Sequence, residues 1–275
     1  MEGCRGYNGA PREPSAARAQ PGGLKRVAIN QSNYIPWKGY FDLIHDVDVF
    51  LFFDDVQFTK RDWRNRNLVK TPLGRQWLTI PAGGSQRRLI QDVTLDDPQW
   101  QRKHWRTLTQ YYGKAPFFSD YGAFLAEIYL ERQWCNLSEL NQFLIQRIAC
   151  EFLGIRTPLQ QTCEFPSAGR NQDRVLSLLQ AVGADIYISG PAAKAYLDEQ
   201  RFRDHGIHVI WKDYTGYPEY PQFHPPFQHA VTILDLLFHT GPHAPFYIWG
   251  WREGQPPPSA PAAAGLPCKR RPLTT

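Results

Sequence analysis

Short runs of β-branched and aromatic residues alternate with amphipathic helical stretches along this chain, and that alternation constrains the fold more than any other feature. Residues 26–29 and 48–53 read as strands, the second so apolar that burial of both faces is expected. Between them, Tyr40, Phe41, Leu43 and Ile44 recur at helical spacing over 39–45. Further on, 76–80, 185–189 and 207–211 read as strands, and 97–112, 137–153, 171–182 and 231–238 as helices. Cap signals frame them. Asp96-Asp97-Pro98 puts acid and proline at a positive helix end, Asn136 or Ser138 opens the next, and Gly154 and Gly183 stop the helices they follow. Strands that alternate with helices pair in parallel, because each crossover brings the chain back in the same direction. The expectation is therefore an α/β fold: a parallel-type sheet flanked by helices, with an added α-helical segment over about 97–153.

The chain has 275 residues, 42% of them hydrophobic, which is enough for one sizeable core or two small ones. Lys plus Arg exceeds Asp plus Glu by 31 to 26, an ordinary solubility charge that gives no reason to expect nucleic acid. No run approaches the roughly 20 apolar residues of a membrane helix, and no apolar block opens the chain, so a cytoplasmic location is expected. Residues 1–24 and 251–275 are rich in Pro, Gly and Ala without periodicity; they read as disordered tails around a folded body at 25–250. The five cysteines are irregularly spaced, which argues against a disulfide framework or zinc site and for small buried hydrophobes.

Four segments carry unusual chemistry. The first, 30–42, follows the first strand, where open α/β sheets bind ligands. There Gln31 offers a neutral donor and acceptor, and Tyr34, Trp37 and Tyr40 offer flat surfaces. Lys38, or the N-terminus of the helix it opens, suits a phosphate. The second, 54–67, follows the second strand. Asp54 and Asp55 suit general-base chemistry or a divalent cation such as Mg²⁺. Lys60, Arg61, Arg64 and Arg66 suit phosphate or carboxylate, while Gln57, Asn65 and Asn67 suit the polar edge of a ligand. The third is a small-residue turn with Ser189 and Gly190, and the fourth a Tyr/Pro-rich stretch with Tyr220 and Gln222. Each has a structural alternative: a capped turn, surface ion pairs, a plain strand-to-helix turn, an ordered connection across the sheet. Ser189 lies outside any G-x-S-x-G elbow, and the histidines form no zinc-hydrolase motif.

In this order, the segments resemble the WbqC-like family. The resemblance runs from Arg26-Val27-Ala28-Ile29 through Tyr34-Ile35-Pro36-Trp37-Lys38-Gly39-Tyr40-Phe41. It continues with Asp54-Asp55-Val56-Gln57-Phe58, Asn65-Arg66-Asn67, Tyr187-Ile188-Ser189-Gly190-Pro191, Tyr217-Pro218-Glu219-Tyr220-Pro221-Gln222 and Ile233-Leu234-Asp235-Leu236-Leu237-Phe238. It covers about 25–245, and departs where the family's Ile-His-Gln-Pro is Ile29-Asn30-Gln31-Ser32 here. A fainter likeness is to nucleotidylyl transferases of the pantothenate-synthetase type; Trp37-Lys38-Gly39-Tyr40 keeps the glycine of their His-x-Gly-His turn and lacks both histidines.

The resemblance implies a protein of O-antigen and other surface-polysaccharide biosynthesis, with a nucleotide-linked sugar as small-molecule substrate and peripheral contact with polysaccharide-assembly enzymes. Three activities follow from it as expectations. In acyl or aminoacyl transfer to a nucleotide- or lipid-linked amino sugar, Gln31, Asn65 and Asn67 hold sugar hydroxyls and Lys60, Arg61 and Arg66 the diphosphate, with Asp54 or Asp55 as base or metal ligand. In nucleotidyl transfer, Lys38 and the basic group face the phosphoryl centre and the Asp pair holds Mg²⁺. A non-catalytic sugar-nucleotide-binding subunit is favoured by Asn30, which cannot titrate as a histidine does.

Overall fold

The computed structural model describes residues 23–84 and 87–258. The chain enters β1 (Arg26–Asn30), turns through α1 (Lys38–His45) and returns in β2 (Val49–Phe52), parallel to β1 with Val27 opposite Val49. It then forms an antiparallel hairpin, β3 (Arg66–Thr71) and β4 (Gly74–Thr79). Gly74 closes the hairpin at φ +105°, where a side chain would be strained. The helical segment follows as α2 (Gln99–Tyr112), α3 (Gly122–Ala126) and α4 (Leu137–Arg147). Next come β5 (Leu159–Gln161), α5 (Gln172–Val182), β6 (Ile186–Ser189), α6 (Glu199–Arg203), β7 (His208–Trp211) and α7 (Ile233–Thr240).

The sheet order is β5-β2-β1-β6-β7, and every neighbouring pair is parallel. The chain builds outward from β1 through β2 and β5, then crosses back along α5 to lay β6 on the other flank of β1. That reversal opens a crevice at the carboxyl ends of the central strands, the place where such sheets take ligands.

Alternation along the strands splits the core in two. Val27, Ile29, Val49 and Leu51 face Leu176, Leu179 and Phe202 of α5 and α6. Ala28, Phe50 and Phe52 face the larger cluster, which includes Phe41 and Ile44 of α1, Leu140 and Leu144 of α4, and Ile233 and Leu237 of α7. The caps act as their chemistry dictates: the Asn136 side chain accepts a hydrogen bond from the Glu139 amide at 3.0 Å, and Gly183 ends α5 in the left-handed conformation.

The α/β sheet with a helical segment over 97–153 is as expected, and four details are not. The strand expected at 76–80 is β4, outside the parallel sheet. The helix expected to reach residue 153 changes to a π turn over Ile148–Phe152. Cys150 is half-buried and Cys163 exposed, both free thiols, while Cys135 is disulfide-bonded. Folded contacts also run past residue 250. Fully buried Asp42 accepts hydrogen bonds from Tyr217 and Arg252 and pairs with Lys212 at 2.9 Å; Asp46 pairs with the same two cations. The rest of the expected tails, 1–22 and 259–275, lies outside the described residues. No helix among the described residues is long and apolar enough to cross a membrane.

Candidate functional site

The turn from β1 into α1 is held under strain at the carboxyl end of the sheet's central strand. Ile35 sits at φ +36°, a left-handed conformation that a β-branched residue adopts at a cost of about 1–3 kcal/mol. The hairpin supplies the groups that hold it. The Asn67 carboxamide donates to the carbonyls of Tyr34 (3.0 Å) and Ile35 (2.9 Å), and the Tyr34 amide donates to the Trp63 carbonyl (3.0 Å). Next in the turn, the Trp37 indole folds over Gly39, where a Cβ would collide with the ring. The Trp-Lys-Gly spacing is thus a packing requirement.

These constraints shape a cavity of about 280 Å³ lined by Asn33, Pro36, Trp37, Trp63, Asn67 and Ala230. Three stretches far apart in sequence meet there: the β1–α1 turn, the run into β3, and the segment before α7. Behind the lining residue Asn33, the Arg64 guanidinium donates to Asn33 Oδ1 (3.2 Å) and Gln31 Oε1 (3.1 Å), both neutral. Its carboxylate partner, Asp62, is 3.7 Å away, beyond hydrogen-bond length, and its Nε is buried without a partner. The guanidinium bonds two neutral amides directly and still acts on Asp62 across 3.7 Å, where, against the upward push of burial, it helps to hold that carboxyl below its usual range.

Trp37 leads from the cavity to a second polar group. Its ring lies edge-on to Tyr217, centroids 6.1 Å apart, and the Lys38 ammonium sits 4.7 Å from the Tyr217 ring centre and 5.6 Å from that of Tyr220. Lys38 is 3% exposed, and its Nζ reaches one acceptor, the Pro218 carbonyl, at 3.5 Å. Burial pushes its pKa down to about 8, against the pull of the Asp42 and Asp235 carboxylates. His229, beside cavity-lining Ala230, has a buried Nδ1 without a partner; burial and the Lys38 charge push its pKa down too.

Asp54 and Asp55 diverge just past β2. Asp54 is buried and accepts from the Ser32 amide (2.8 Å), the Gln142 side chain (3.0 Å) and the Ser138 hydroxyl, joining the β1–α1 turn to α4. Asp55 accepts from Thr162 at 2.7 Å and pairs with Arg174. Their side chains are not brought together around one ion. Among the described residues, the one set of three groups spaced for a metal is Asp42, His45 and Asp46, whose acids are already paired with Lys212 and Arg252.

The other expected residues are dispersed. Tyr34 is fully buried, its hydroxyl 2.8 Å from His104 Nδ1 and 2.7 Å from that of Tyr129. Tyr40 donates to the Gln31 carbonyl and Asn65 to the Ile80 carbonyl. Gln57, Lys60 and Arg61 are exposed, whereas Arg66 stacks on Trp77. Tyr220 and Gln222 donate to Asp235, which is fully buried and also accepts from Tyr112. Ser189 and Gly190 end β6, beside the turn and outside the cavity lining. Asn30 accepts from the Gln31 amide through its side chain.

Sequence reasoning missed Asn33, Pro36, Trp63 and Ala230 as lining, and His229 as a group that feels the Lys38 charge. Trp63 stands out in sequence only as the aromatic inside a basic run; Ala230 carries no signal at all.

The family model that matches this chain over residues 31–246 is described as the WbqC-like protein family. An uncharacterized protein of Mycobacterium tuberculosis is 47% identical over 227 residues, 82% of this chain and 98% of that relative. No solved structure matches. The match spans both the strained turn and the helix that packs behind it, and the chain belongs to the WbqC-like protein family.

Proposed function

We propose that this chain is a transferase of surface-polysaccharide biosynthesis that places an acyl or aminoacyl group on the amine of a nucleotide- or lipid-linked amino sugar. The observation that carries the reading is the composition of the cavity. Two indoles, Trp37 and Trp63, form apolar walls suited to the C–H face of a sugar ring, and Asn33 offers a carboxamide to its hydroxyls. Arg64 supplies the charge for a diphosphate. In the transfer, the sugar nitrogen bonds to the acyl carbon, the bond to the carrier breaks, and the nitrogen's proton passes to a base. Asp54, bonded to the Ser32 amide of the same turn, is assigned as that base.

A thermal-shift series with UDP- and dTDP-linked amino sugars tests the reading. A ligand at 100 times its Kd stabilises the fold by about 2.7 kcal/mol, and Trp37→Ala and Arg64→Gln should each abolish that response. Absence of stabilisation by any nucleotide- or lipid-diphosphate-linked sugar would refute it. One observation favours a second reading, a binding subunit without turnover: Asn30, the last residue of β1, stands where the resemblance places a histidine, and its carboxamide accepts from the Gln31 amide. Binding without product formation for any acyl donor would select it.

A further inference from the structure

Trp63 links the cavity to a second aromatic surface. Its ring lies against Trp77 of β4, centroids 5.3 Å apart and tilted by 46°, and the two indoles remain 42% and 39% exposed. Arg66 of β3 spreads its guanidinium over Trp77, 4.0 Å from the ring centre, and its Nε is buried without a partner. The neighbouring Gly74, Arg75 and Gln76 of β4 are exposed. The result is a narrow ledge of two indoles bordered by polar groups, continuous with the cavity through one shared side chain.

The shape and border of the ledge select its occupant. A packed protein helix needs a broad apolar strip, which this polar border does not offer. Single-stranded nucleic acid needs an extended basic groove that tracks successive phosphates, whereas the basic residues of this stretch are confined to the short run of Lys60, Arg61, Arg64 and Arg66 with Arg75. A sugar ring fits, with an apolar face for the half-exposed indoles of Trp63 and Trp77 where Arg66 leaves them open, and hydroxyls for the guanidinium that lies over Trp77.

We infer that Trp63, Trp77 and Arg66 form a second saccharide subsite, so that the ligand is a glycan of at least two sugars running from the cavity onto the hairpin. This inference rests on the proposed reading of the cavity as a sugar site. It makes Trp77 a residue that reads acceptor length rather than one that holds the reacting sugar.

The test is a glycan array of mono- to hexasaccharides probed with the whole chain and with Trp77→Ala and Trp77→Phe. The chain should retain oligosaccharides about fivefold more tightly than their terminal monosaccharides, the gain from one added stacking contact. Trp77→Ala should lose that advantage while keeping monosaccharide binding, and Trp77→Phe should restore part of it. Equal retention of all lengths, or an unchanged length dependence in Trp77→Ala, overturns the subsite and leaves the cavity reading standing. Retention of no sugar overturns both. Retention of oligo(dT) that Trp77→Ala abolishes would show that the ledge stacks bases and would overturn the saccharide assignment. Trp77→Ala gives up its contacts with Trp63 and Arg66 and should melt a few degrees lower, whereas Trp77→Phe should melt closer to the natural chain, so the length dependence is read at a temperature where both variants are folded.

Discussion

Replacing Lys38 by methionine should stabilise this protein near neutral pH. Lys38 holds a charge at 3% exposure with one long hydrogen bond, and burial lowers its pKa from 10.5 to about 8. A displacement of that size costs the folded state about 3 kcal/mol while the lysine is charged. Methionine fills a similar volume without charge and gives up the two contacts with Tyr217 and Tyr220, worth about 1–2 kcal/mol together. The net gain at pH 7 is about 1–2 kcal/mol, or roughly 3–6 °C in Tm for a domain this size. The pH dependence carries the sign. Above pH 8 the folded state has released the Lys38 proton, while the unfolded state keeps it until about 10.5. The unfolded state then binds more protons, and the stability of the natural chain climbs across that window. Urea denaturation from pH 7 to 10 should show this climb in the natural chain and its loss in Lys38→Met. Parallel profiles, or a variant less stable by more than 1 kcal/mol at pH 7, would refute the reasoning, because they would mean that the ammonium has a strong acceptor in the fold.

The same logic at His104 points the other way along the pH scale. Burial holds its pKa near 4, so stability should fall by about 3 kcal/mol as pH drops from 6.5 to 4, and His104→Phe should flatten that slope in acid titrations followed by circular dichroism. Asn67→Ala removes both bonds that hold Ile35 in its strained conformation; it should cost about 2–3 kcal/mol in urea denaturation and weaken amino-sugar binding together with stability. Asp54→Asn puts a donor where Asp54 now accepts from Ser32, Ser138 and Gln142. A loss of about 2 kcal/mol is expected, with turnover abolished if Asp54 is the base; unchanged stability and turnover would remove it from both roles. Tyr220→Phe leaves buried Asp235 with fewer donors and should cost about 1.5–3 kcal/mol, measured by the same denaturation.

The parallel sheet was legible because burial on both faces writes itself as unbroken apolar runs, as in Val49–Phe52. β3 was not, because Arg66 and Lys70 alternate with Asn67 and Val69 and look like a solvated loop. Their charged heads find partners elsewhere: the Arg66 guanidinium lies on Trp77 of the paired strand, and the Lys70 ammonium donates to Gln222, far along the chain. In the site, Trp37 and Asn67 stood out by chemistry and do line the cavity. Asp54 and Asp55 looked like a pair because they are adjacent, yet neighbouring side chains in near-extended backbone point apart, and α4 and α5 each claim one. Lys38 was legible as a cation but not as a buried one. Its surroundings come from residues about 180 positions later in the chain.

The ion-pair cluster on α1 also decides where this protein can be cut. A fragment ended at residue 250 would keep Asp42 buried beside Asp46 but lose Arg252, leaving two acids to share Lys212. With a discount for the partial exposure of Arg252, that deletion costs on the order of 2 kcal/mol, concentrated at the helix that follows the β1–α1 turn. Residues that look like the start of a linker therefore act as a clasp on α1, and a fragment that stops short of them would loosen the turn before that helix for a reason unrelated to any contact within the turn.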